Sequence, residues 1–160
     1  MLHSILITVH AVAATVAFAA GALSAPSGRF LGVYRFAMAT MAVALVPAIL
    51  VGWSTTDPVA RTVFTGLLGL AAVMVLRSEL AGRQCPALTG GPTVGYLDHV
   101  GFTLIALADG FAVVAAIRSG APGWAVGVLA VGVVVAGHLS LQLAKRRLVH
   151  PRADAPVVPA

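Results

Sequence analysis

The chain has 160 residues, of which 59% are hydrophobic and only 9% charged, with a mean hydropathy of +0.99. Soluble domains carry roughly a quarter charged residues, so this composition excludes a soluble fold, and its length allows about five membrane spans of roughly 20 residues with no separate soluble domain. The formal charge of +5 does not point to nucleic acid, because the basic residues sit at the ends of apolar runs and in one short cluster, Lys145-Arg146-Arg147, which reads as topology and lipid headgroups.

Five apolar runs separate at turn-forming clusters, at 2–24, 34–53, 59–81, 97–118 and 122–144. In the first, His3, His10, Ala14, Ala17, Gly21 and Ser24 recur at spacings of three, four or seven. They form one small, polar stripe predicted to face neighbouring helices, since small residues permit close approach where no hydrophobic force drives association. Ala22-Leu23-Ser24-Ala25 resembles a signal-peptide cleavage site. The run lacks a basic leading region, however, and cleavage would invert the remaining spans, so it is taken as a true helix.

In the second run Pro47 predicts a kink, with a neighbour needed to satisfy the freed carbonyl. The third places Gly66, Gly69 and Val73 in line with Arg77, and the fifth places Gly123 and Gly127 in line with Val134, His138, Gln142 and Lys145. Both stripes are candidate packing seams. Residues 1–148 are thus expected to form an all-α bundle of five transmembrane helices, and 149–160, with three prolines, a short disordered tail.

Counting Lys and Arg with the N-terminus outside leaves Arg29, Arg35, Arg77, Arg83, Lys145, Arg146, Arg147 and Arg152 inside, against Arg61 and Arg118 outside. That asymmetry predicts a cytoplasmic C-terminus. Trp53 and Trp124 then fall at the outer interface, and Tyr34 and Tyr96 at the inner one, as interfacial anchors. Cys85, the single cysteine, falls in an inner loop and is expected to be reduced.

The fourth run opens on Tyr96-Leu97-Asp98-His99 and carries Asp109 near its centre. Ionisable groups at membrane depth are costly and mark candidate sites. His10, His99 and His138 are the candidate ligands for haem or a transition metal. Their depths make His99 with His138 the sharper pair, and leave His10 for a second site on the outer side, with Met38 and Met41 too deep to assist. Each could equally be a neutral hydrogen-bond former between helices. Asp109 is the candidate for a proton relay with His10. Arg77, Glu79, Arg83 and Asp98, with Arg29 nearby, form an inner polar cluster read as interfacial ion pairs, Glu79 and Arg83 being four apart, or as a lipid or quinone headgroup site. No ordered set of nucleophile, base and orienting acid supports a hydrolase.

The segments Gly28-Arg29-Phe30-Leu31-Gly32-Val33-Tyr34-Arg35 and Asp98-His99-Val100-Gly101 resemble a family of predicted multi-pass bacterial membrane proteins of unknown function. That resemblance implies a bacterial inner-membrane protein and singles out His10, Arg29, Gly32 and His99. The family's loop commonly has histidine where this chain has Gly28. Three activities are compatible with these residues: a small redox protein holding haem or a metal and exchanging electrons with quinone, a proton-linked transport or solute-binding module, and a non-catalytic subunit docked to other membrane subunits.

Overall fold

A computed structural model describes residues 1–55, 57–85 and 91–149. The chain is all-helical: α1 Leu2–Ser24, α2 Leu31–Gly52, α3 Pro58–Arg83, α4 Val94–Arg118 and α5 Gly123–Val149, with one 3-10 turn at Trp53–Thr55. All five helices are long and apolar enough to cross a membrane. The lipid core offers backbone groups no water, so they must bond within the segment, which dictates helix for such runs. The helices extend past the apolar runs into polar flanks: α2 starts at Leu31, Thr93 caps α4 by accepting from the Tyr96 amide at 3.2 Å, and α5 continues through its basic cluster to Val149. Nearly all of the expected tail, 150–160, lies outside the described residues.

Two turns need glycine. Gly28 has φ 70° and its amide donates to the Ser24 carbonyl, reversing the chain between α1 and α2. A side chain at this position would be strained in the left-handed conformation. Gly120 has φ 77°, with Gly120 N bonded to Ile117 O and Ala121 N to Ala116 O. This paired bonding closes the C-terminus of α4.

Helices α1 to α4 form a closed ring, α1 against α2, α2 against α3, α3 against α4 and α4 back against α1, while α5 packs principally on α4 from outside. The core lies toward one end of the bundle, the end that gathers Arg29, Arg35, Arg77, Arg83 and Lys145, called here the basic end. Ala13, Ala14, Ala17 and Ala20 of α1 meet Tyr34, Met38 and Met41 of α2, with Met74 and Ala81 of α3 and Tyr96, Leu97, Val100 and Leu107 of α4. The predicted α1 stripe is buried at Ala14, Ala17, Gly21 and Ser24. A methyl group on Gly21 would lie 3.0 Å from both Tyr34 and Leu104.

The other two predicted seams are corrected. Gly66, Gly69, Gly123 and Gly127 have nothing within 4 Å of an added Cβ, and Val73 and Val134 are exposed. The seams in use lie on other residues: Ala71, Met74, Ser78 and Ala81 in α3, and Gly137 and Leu141 in α5. Gly137 lies against Ile105 and Leu141 against Gly101. Small-residue spacing recurs on several faces of a membrane helix, so the large residues opposite decide which face packs.

Candidate functional site: a polar layer at the basic end

Polar side chains from four helices meet where the core is densest. Tyr34 reaches across from α2 to α4, its hydroxyl 2.5 Å from Thr103 Oγ1, which in turn donates to the Val100 carbonyl at 2.8 Å. Tyr96 donates from α4 to the Ser24 carbonyl of α1 at 2.9 Å. Both tyrosines and Thr103 have 0% exposure, so the expected interfacial anchors are instead internal struts. The apolar ring fills the core while the hydroxyl finds its buried partner, as a tyrosine must away from water.

Around these struts lie two ion pairs. Arg35 of α2 holds Glu79 of α3 through two of its guanidinium nitrogens, Nε and Nη2, the Nε bond measuring 3.1 Å. Gly82 lets the Arg35 guanidinium lie flat across α3, since a Cβ there would be 3.0 Å from its Cζ. Lys145 of α5 pairs with Asp98 of α4. The principal partner of Glu79 is therefore Arg35 rather than Arg83, which is exposed and acts on Glu79 only through its charge. With side chains 40% and 45% exposed, the Arg35–Glu79 pair adds about 0–1 kcal/mol if wet, and serves mainly to fix register between helices. Arg29 is exposed beside the α1–α2 turn.

Arg77 of α3 lies 4.8 Å over the Phe102 ring of α4. Next to it, His99 has Nε2 3.5 Å from the Gln84 amide nitrogen, while its Nδ1 is buried without a partner. Gly95 gives Gln84 room to fold against α4.

The three histidines do not converge. His99 faces α3, whereas His138 is exposed on α5 and bonded at 3.3 Å to Gln142 of its own helix. His10 donates from Nδ1 to the Met41 carbonyl of α2 at 2.9 Å, and His3 makes the same kind of bond to Ala48 at 3.2 Å. Met41 is thus level with His10 rather than too deep. These two carbonyls flank Pro47; neither is that of Val43, whose helical partner the proline removes. No group of three or more His, Cys, Asp or Glu side chains poised for a metal occurs among the described residues.

Asp109 is also separate from His10. Phe18 and Phe111 pack edge to face at 6.1 Å, which sets the Asp109 turn level with Phe18. That is eight residues, about 12 Å of helical rise, from His10. Asp109 Oδ1 is buried with no hydrogen-bond partner among the described residues.

In comparisons with known proteins, no family model, no curated sequence and no solved structure matches this chain.

Proposed function

We propose that the protein is a small non-catalytic subunit of a membrane complex, and that it docks through the outward face of α5. One observation carries this reading: α5 has no buried residue along its 27-residue length, and Gly123, Gly127, Val134 and His138 are left uncovered by the other helices. His138 lies about 16 Å of helical rise from one end of α5 and about 22 Å from the other. A histidine with Gln142 one turn on, turned toward acyl chains at that depth, is costly unless another helix covers it. Glycines leave the groove into which such a helix can settle.

Chemical cross-linking in native membranes, followed by mild detergent extraction, tests this reading. The wild-type chain should migrate in an assembly, and Gly127→Leu and His138→Leu should each release it as a folded monomer. Extraction of the wild type as a lone monomer would refute the proposal.

The charge asymmetry supports an orientation with the basic end in the cytoplasm and the N-terminus outside, and the short-motif resemblance supports a bacterial inner membrane. Cys85, exposed at the basic end, should then react with a membrane-impermeant maleimide only after the cells are permeabilised; labelling of intact cells would reverse the orientation.

A redox reading retains one supporting feature. The Nδ1–H bond from His10 to Met41 leaves Nε2 with its lone pair available, the tautomer a metal or haem ligand needs. A Soret band or stoichiometric metal in purified protein, lost in His10→Ala, is the result that reading requires.

A further inference from the structure

We propose that the α3–α4 contact at the basic end, where Arg77 lies over Phe102 beside His99, binds a phosphate group carried by an anionic lipid headgroup or by a free phosphate. The charges of the layer leave Arg77 without an anion. Glu79 is held by Arg35, and Asp98 by Lys145. Of the remaining acids in the sequence, Asp57 is at the other end of α3, Asp109 is about 15 Å along α4 from His99 by helical rise, and Asp154 lies outside the described residues. Arg77 accordingly has a ring contact but no ion pair or hydrogen bond among the described residues.

A guanidinium within a membrane-spanning helix is stable when an anion or interfacial water completes its shell. Phe102 holds this one against its ring and leaves its N–H donors without hydrogen bonds among the described residues, so they remain for forked contact with phosphate oxygens. His99 adds a second independent sign. Its Nδ1 is withdrawn from solvent and unpaired, an uncommon state that a ligand oxygen would relieve. His99 feels the charge of both Arg77 and Asp98, and Asp98 is held by Lys145, so a second anion beside Arg77 would favour both groups. The site is separate from the α5 face and does not depend on what docks there.

Native mass spectrometry of the full chain in detergent, titrated with phosphatidylglycerol, phosphatidylcholine or inorganic phosphate, tests the proposal. Phosphatidylglycerol should bind saturably and more tightly than phosphatidylcholine. Arg77→Gln should weaken it about tenfold, the loss of one charge-assisted contact, whereas Arg146→Gln with Arg147→Gln should change it less than about twofold, as exposed charges contribute little. If inorganic phosphate displaces the lipid from the wild type, or binds in its place, free phosphate is the source. If it does neither, the headgroup is. Should Arg77→Gln fail to fold, His99→Gln examines the same site and is expected to weaken binding about threefold or more. Unchanged affinity in the folded Arg77 or His99 variant, or an equal loss in the Arg146 and Arg147 variant, overturns the proposal in favour of diffuse attraction to the basic end.

Discussion

Replacing Gly137 with leucine should destabilise the protein by about 1–3 kcal/mol and loosen α5 from α4, as overpacking of a close contact does. An added Cβ would lie 2.6 Å from Ile105 Cγ1 and 3.3 Å from its Cβ. Ile105 cannot simply rotate away, because a β-branched side chain on a helix has essentially one allowed χ1. The helices must therefore separate, and α5 has α4 as its principal neighbour. The matched control is Gly127→Leu, ten residues earlier on the same helix. Nothing lies within 4 Å of an added Cβ there, so the isolated chain should be unchanged, or more stable by a few tenths to about 1 kcal/mol through helix propensity. Thermal melting of both variants in detergent checks the pair. Gly127→Leu melting as low as Gly137→Leu would mean that the outward face is packed within the monomer, and would remove the basis for assigning it to docking.

That contrast also shows what the sequence could carry. The five helices and their approximate ends were legible because a long apolar run has one structural solution in lipid. The packed stripe of α1 was legible because its small residues fall on one face. In α5 the glycines fall on several faces, and the choice between Gly127 and Gly137 depends on Ile105 and Leu141, which apolar pattern alone cannot assign to a partner. Tyr34 and Tyr96 show the same limit. An amphipathic ring near a helix end suits the headgroup region, but it suits equally a buried acceptor on another helix, the Ser24 main-chain carbonyl for Tyr96 and the Thr103 hydroxyl for Tyr34. The ion pairs were partly legible. Glu79 and Asp98 were recognised as paired acids, while Arg35 and Lys145 emerged as their partners only once α2 met α3 and α4 met α5. Depth groups the histidines, but it says nothing about which way each faces.

Asp109→Leu should raise stability by about 1–3 kcal/mol, the opposite sign to most buried substitutions. The carboxyl sits within α4 with one oxygen buried and unpaired, and an unmet buried polar atom carries a penalty of about that size. On insertion scales an aspartate at the centre of a helix costs about 2.5–3.5 kcal/mol, whereas leucine is favourable. Asp109→Asn keeps the volume and the polar burial, so it should change stability far less. Melting of the three proteins in one detergent measures this difference, and a loss of stability in Asp109→Leu would show that the carboxyl has a partner essential to the fold. A half-buried carboxyl with one oxygen buried and unpaired is the feature that supports the proton-linked alternative to docking. On that alternative, Asp109→Asn should abolish proton flux in reconstituted vesicles while leaving the melting curve nearly unchanged. Wild-type flux in Asp109→Asn, or no flux in either protein, would leave Asp109 as a tolerated defect and favour the docking subunit.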